Sequence, residues 1–272
     1  MPFRTRHLLL VCLSIVLLSA CGDYQKILKS SDVNYKLTKA NEYYNNKDYQ
    51  RANELYESLL PVMKNTKNYA PLYYRYAYSF YYIHDYLAAS YHFKNFVEFF
   101  PNSPDADECE FMHGVSLYKY APKYSLDQTN TIKALEALQS YVNTHPTSKH
   151  LAEANGYIAE SNKKLEEKAA SAAKLYYNIG QYKAAGVAYK SVMRDYPDSP
   201  SSDFYEYMIV RSLYNYAKQS VATKQEERFA NTISAYHELA DSYPKSQYLD
   251  DAQKITVQAD NYIKKIRNEQ HQ

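Results

Sequence analysis

The chain has 272 residues, of which 33 are Tyr, 5 are Gly and none is Trp. Average usage of about 7% Gly would supply roughly 19, so the shortage argues against glycine-rich phosphate loops and against an all-β fold whose hairpins need residues at positive φ. Lys and Arg number 32 against 30 Asp and Glu, a balance without the basic excess that a nucleic-acid partner leaves.

The N-terminus reads as a segment to be removed. Arg4, Arg6 and His7 precede an apolar run from Leu8 to Leu18, which is too short to span a bilayer as a helix and has the layout of a signal peptide. The run closes on Leu18-Ser19-Ala20-Cys21, which matches the lipobox of bacterial lipoproteins, in which the Cys is acylated and becomes the new N-terminus. Residues 1–20 are therefore assigned as signal peptide, Cys21 as the lipidation site and residues 21–31 as a short tether, with Ser31 or Asp32 as cap of the first helix. Gly22 after the Cys favours the outer membrane over inner-membrane retention. Processing leaves 30 basic and 30 acidic residues. Cys109 is then the one thiol that is neither removed nor acylated, so no intramolecular disulfide forms.

The rest of the chain repeats. Four stretches share a turn: Phe100-Pro101-Asn102-Ser103, His145-Pro146-Thr147-Ser148, Tyr196-Pro197-Asp198-Ser199 and Tyr243-Pro244-Lys245-Ser246. Proline stops a helix, and the Ser two places on reads as the N-cap of the next. Eight residues before each Pro stand Phe93, Leu138, Tyr189 and Tyr236, and four further back Ala89, Ala134, Ala185 and Thr232, the small-x3-large spacing of a tetratricopeptide second helix. Ala52 and Tyr56 supply a fifth copy. The small residues of the first helices are Ala40, Ala77, Gly114, Ala173 and Val210, and four places after each comes Tyr44, Tyr81, Tyr118, Tyr177 and Tyr214. Tyr43, Phe80, Leu117, Tyr176 and Leu213, just before them, are assigned to the core. Insertions at Lys119 to Thr131 and Lys218 to Ala230 lengthen the third and fifth copies.

The predicted fold is all-α, a tetratricopeptide-like solenoid of five helical hairpins with a closing helix from Tyr248 to Arg267. Repeats 1–3 occupy 32–147, and repeats 4–5 with the closing helix occupy 148–267. A proline-free run from Lys149 to Ile179 predicts one long helix of about 46 Å joining the two sets.

Little here suggests chemistry. Gly180 and Gly186 belong to a hairpin rather than a nucleotide turn. Cys109 and His113 share a helical face without the third and fourth ligands that zinc requires. His84 and His92 read as surface residues. No catalytic group, metal or cofactor is expected, and the chain reads as a non-enzymatic binding protein. The remaining signal is aromatic: Tyr74, Tyr78, Tyr81 and Tyr82 gather on one first helix, and with Tyr44 and Tyr118 they are candidates for a peptide-binding groove, against the alternative that they are repeat packing.

The lipobox Cys, the five repeats and the Tyr-Pro-x-Ser turns together resemble the BamD family, outer-membrane lipoproteins of the β-barrel assembly machinery. Ala40 to Leu59 and Leu175 to Gln181-Tyr182, running on to Ser199, carry most of the likeness. The resemblance implies a lipid-anchored scaffold on the periplasmic face of the outer membrane. Its N-terminal repeats would hold the C-terminal strand of unfolded outer-membrane proteins in the tyrosine groove. Its C-terminal repeats, near Arg211 and Tyr214, would dock on a POTRA domain of the barrel-forming subunit. An adaptor for cell-wall synthesis or another envelope complex shares the fold, although residues 22–48 show no sustained heptad seam.

Overall fold

The computed structural model describes residues 23–270, so the signal peptide and Cys21 lie outside the described residues. Those residues form twelve helices and no strand: α1 (residues 23–29), α2 (Val33–Asn45), α3 (Tyr49–Met63), α4 (Tyr69–Tyr82), α5 (Tyr86–Phe99), α6 (Ala106–Tyr120), α7 (Thr129–Thr144), α8 (Leu151–Asn178), α9 (Tyr182–Asp195), α10 (Ser202–Lys218), α11 (Ala222–Ser242) and α12 (Leu249–Gln270). Pairs α2/α3 through α10/α11 are the five hairpins, and α12 is the closing helix. The fold is all-α and tetratricopeptide-like.

Two turns, each repeated, build it. Within a hairpin, the first helix ends in a residue in the left-handed region: Lys47 at φ 64°, His84 at 65° and Gly180 at 80°. In each, the next backbone N–H reaches back to the carbonyl five residues earlier, Asp48 to Tyr43 at 2.9 Å, Asp85 to Phe80 at 3.0 Å and Gln181 to Tyr176 at 2.9 Å, which closes the helix in the Schellman manner. Asp48 and Asp85 then cap α3 and α5 by accepting from the N–H of Arg51 and Ala88. Two of the three left-handed sites carry a Cβ. Lys47→Gly should therefore stabilise the protein by about 0.5–1 kcal/mol, the relief of left-handed strain less the added chain entropy, read as a higher denaturation midpoint.

Between hairpins the Pro-x-Ser turn does something other than expected. The helices begin three residues beyond the Ser, so Ser103, Ser148, Ser199 and Ser246 are not N-caps. Each hydroxyl accepts instead from the N–H two residues on, at 3.0–3.2 Å. Three of the four also donate to a carboxylate on the first helix of their own hairpin, Ser148 to Asp107 at 2.9 Å, Ser199 to Glu166 at 2.5 Å and Ser246 to Asp203 at 2.8 Å. The Ser clips the end of each hairpin to its beginning.

The hairpin cores follow the predicted spacing. Ala40, Ala77, Ala173 and Val210 are completely buried, as are Ala52, Ala89, Ala134, Ala185 and Thr232 opposite them. Gly114 is needed where it stands, since a Cβ there would lie 2.7 Å from Leu138 Cδ2 and 2.8 Å from its Cγ. The residues before the Tyr column fit less well. Leu117 is buried, Tyr43, Phe80 and Leu213 are half-buried, and Tyr176 is exposed.

The chain divides into two compact units, one running to Ser161 apart from Lys123–Ser125, the other comprising those three residues and Asn162 onward. The boundary thus falls inside α8, rather than ahead of it at 147/148, because Ala154 packs in the first unit's core and Ala173 in the second's. The insertions take different forms: residues 121–128 are a loop, whereas Ala222 onward lengthens α11 to 21 residues. The segment expected to be a tether is also ordered. Residues 23–29 are helical, and Tyr24 and Ile27 are buried against α3 and its neighbours.

Candidate tyrosine-lined binding site

The site lies in the first unit. Tyr44 on α2 meets Tyr82 on α4 at 6.2 Å between ring centroids, and Tyr49, the first residue of α3, stacks on Tyr82 at 4.4 Å. Tyr82 lies over Tyr78 at 5.7 Å and edge-on to Tyr81 at 5.8 Å. Tyr74 packs against Tyr78 at 4.8 Å. Beyond them Tyr118 on α6 pairs with Tyr157 on α8 at 4.6 Å. Offset and edge-on pairs of this kind add to the stabilisation that burial alone gives, so much of each ring is committed to its neighbour.

Exposure sorts the candidates. Tyr82 is 40% exposed, whereas Tyr44, Tyr74, Tyr81 and Tyr118 are half-buried. Tyr78 is a correction: at 8% exposure it forms the floor beneath Tyr82 rather than a wall of a groove. Its hydroxyl donates to Glu108 Oε1 at 2.5 Å, and Tyr74 donates to the same oxygen at 3.0 Å. Burial works against ionising Glu108, but these two hydroxyls, with Lys149 and His150 nearby, outweigh it and hold the carboxyl below its ordinary range. Lys149 Nζ stands 3.6 Å from the other Glu108 oxygen. Burial raises the pKa of Tyr44, Tyr74, Tyr78, Tyr81 and Tyr82, so these phenols stay protonated. Tyr118 is pushed up to about 12 by burial and by the Glu160 carboxylate to which it donates.

The tyrosine column has two uses. In the short-turn hairpins each member meets the Tyr that opens the second helix: Tyr44 with Tyr49 at 5.3 Å, Tyr81 with Tyr86 at 5.4 Å and Tyr177 with Tyr182 at 5.2 Å, all edge-on. The Tyr-x4-Tyr spacing was the available signal for these partners. Where an insertion separates the helices, the clasp is lost. Tyr118 turns to Tyr157 and Glu160, and Tyr214 donates to Gln258 at 2.7 Å.

That contact corrects a second candidate. Tyr214 is 9% exposed and lies in a core of Ala217, Phe229, Ala259 and Ile263, so it cannot present a docking surface. Arg211 remains partly exposed in the second unit, its guanidinium 5.1 Å from the Tyr177 ring and 5.6 Å from Tyr207. The histidines also part company. His84 is exposed, but His92 sits 4.9 Å over Phe80 with Nδ1 3.0 Å from the Tyr73 hydroxyl. Cys109 is fully buried, and His113 Nδ1 is 2.9 Å from the Ser90 carbonyl.

A protein from Aquifex aeolicus (strain VF5) named as a candidate outer membrane protein assembly factor BamD is 26% identical over 219 residues, 79% of this chain and 72% of that protein. Among solved structures, a TPR repeats protein from Bacteroides fragilis aligns with a TM-score of 0.43 at 15% identity over 86% of this chain and 100% of its own. The TPR2AB domain of yeast Sti1, solved with pHSP90, aligns with a TM-score of 0.39 at 15% identity over 85% of this chain and 99% of its own. The model of the YfiO family, described as outer membrane lipoprotein, matches residues 30–202 and 168–265. With all five hairpins inside those matches, the chain belongs to the YfiO family of outer membrane lipoproteins.

Proposed function

We propose that this protein is a non-enzymatic scaffold of outer-membrane β-barrel assembly, anchored through acylated Cys21 on the periplasmic face. In this reading the first unit holds an unfolded outer-membrane protein and the second docks on a POTRA domain of the barrel-forming subunit. The observation that carries it is the tyrosine band formed by ring contacts among α2, α3 and α4, together with the Tyr118–Tyr157 pair of α6 and α8. Its half-exposed ring faces suit aromatic side chains of an extended segment, and its neutral hydroxyls suit the segment's backbone. Tyr44, Tyr74, Tyr81, Tyr82 and Tyr118 form the contact surface, and Tyr78 supports it from below.

A photo-crosslinker replacing Tyr81 or Tyr82 should capture nascent outer-membrane barrels. Replacing Tyr91, an exposed residue of the second helix α5, should not. Equal capture at Tyr91 sinks the substrate half of the proposal. For the docking half, Arg211→Glu should weaken copurification of the barrel-forming subunit while the protein stays folded; unchanged copurification refutes it. Depletion separates this reading from a cell-wall adaptor, since barrel proteins should vanish from the outer membrane before cell shape changes.

A further inference from the structure

Cys21 and Asp23 are separated by Gly22 alone. Consecutive Cα atoms are about 3.8 Å apart, so these two lie within about 7.6 Å whatever the backbone does between them. Asp23 already belongs to α1, and α1 is bolted down. Tyr24 and Ile27, three residues apart on one helical face, are 6% and 7% exposed. Tyr24 donates to Glu54 at 2.6 Å, and the Arg51 guanidinium stands 5.4 Å from its ring centroid. The same ring meets Tyr43 edge-on at 5.8 Å. Arg51 is itself held by Asp48 at 3.0 Å. Ile27 enters the core of Ala40, Leu55, Tyr56 and Leu59. A long polar linker after an acylated Cys lets a domain swing; here the folded body starts two residues later.

We infer that α1 is a rigid stand-off that seats the first hairpin on the phospholipid headgroups of the leaflet holding the anchor. The inference rests on reading Cys21 as the acylated residue. The side chains around α1 and the start of α2 suit that neighbour. Lys26, Lys29, Lys36 and Lys39 stand against Asp23, Asp32 and Glu42 there, Lys26 pairing with Asp23 at 2.9 Å and Lys39 with Glu42 at 2.6 Å, which leaves a basic excess at Lys29 and Lys36, and Tyr35 is 44% exposed. Lysines are drawn to anionic headgroups within a Debye length, and Tyr is a residue of the membrane interface. Tyr44 and Tyr49 belong to the same hairpin, so a segment held on the tyrosine band starts beside the leaflet.

The test uses the acylated chain in vesicles of phosphatidylethanolamine and phosphatidylglycerol carrying a headgroup quencher, with a fluorophore on Asn34→Cys in α2. Cys109 is fully buried and stays unlabelled. Strong quenching is expected. It should fall several-fold when about 15 Gly/Ser residues, with a reach of roughly 20 Å, are inserted between Gly22 and Asp23. Tyr24→Ala with Ile27→Ala should have the same effect by freeing α1, while Leu55, Tyr56 and Leu59 keep the hairpin folded. Equal quenching in the native and extended chains overturns the stand-off and leaves the anchor intact. Loss of the anchor reading looks different: a mature protein without acyl mass on Cys21, or Cys21→Ala still floating with the vesicles, overturns both.

Discussion

Gly114→Ala should lower the stability of the first unit by about 1–2 kcal/mol. The added Cβ would stand 2.7–2.8 Å from two atoms of Leu138, and Leu138 is completely buried among residues including Phe93, Phe96 and Tyr141, so it has little room to withdraw. Overpacking of this kind costs about 1–3 kcal/mol, from which the better helix propensity of Ala recovers up to about 1. Gly156→Ala is the control. It lies in α8 with nothing within 4 Å of the added carbon, so the propensity gain stands alone and this variant should be more stable by about 0.5–1 kcal/mol. The opposite signs are what thermal or denaturant unfolding has to show. A double-mutant cycle tests the cause: Leu138→Ala alone should cost about 2–5 kcal/mol, and adding Gly114→Ala to it should cost almost nothing, because the new methyl then enters the vacated space. Strict additivity would place the strain elsewhere.

The same geometry explains why the repeats were legible in the sequence. Two helices of a hairpin can approach closely only where small residues face each other, so Ala40 with Ala52 and Ala173 with Ala185 recur at fixed offsets, and Tyr56, Phe93, Leu138 and Tyr189 fill the space beside them. Such constraints are local in sequence. The fate of each tyrosine is not. Tyr78 and Tyr82 are one helical turn apart, and the hydroxyl partner of the first is Glu108 from another helix, 30 residues on. Tyr118 and Tyr214 occupy the same repeat position as Tyr44, yet their hydroxyl partners lie 42 and 44 residues away. Periodicity along one helix carries no information about those partners. The docking of α1 was missed because a seven-residue helix makes fewer than two turns, too few for an apolar face to stand out, and the Pro-x-Ser clip because its acceptor sits at the far end of the hairpin. What could have been read is Tyr-x4-Tyr, which marks the three short turns.

His92 carries the second large effect, a loss of stability on mild acidification. It is held neutral in the first unit: burial pushes its pKa down to about 4, opposed only by Asp85. His113, on α6, is shifted in the same direction by burial, against the pull of the Ser90 carbonyl. In the unfolded chain both titrate near 6.5. Between about pH 6.5 and 4 the unfolded state therefore binds protons that the folded state refuses, and stability must fall as pH falls across that window. Partial exposure and solvent screening bring the loss to the order of 1–2 kcal/mol for His92. Glu108 acts in a lower window. Its carboxyl is depressed in the folded state, so its contribution is present above the unfolded carboxylate pKa and is lost as pH falls through the folded one. In the second unit Glu206 has the opposite sign, since burial and the neighbouring Glu238 raise its pKa, and acid relieves it. Unfolding of the first unit, followed at pH 7 and pH 5, should show the histidine term. His92→Gln, which keeps a polar partner for the Tyr73 hydroxyl but takes up no proton, should remove most of the difference. If His92→Gln loses as much stability between those two pH values as the native chain, the histidine is not held neutral by burial and the acid sensitivity belongs to other groups.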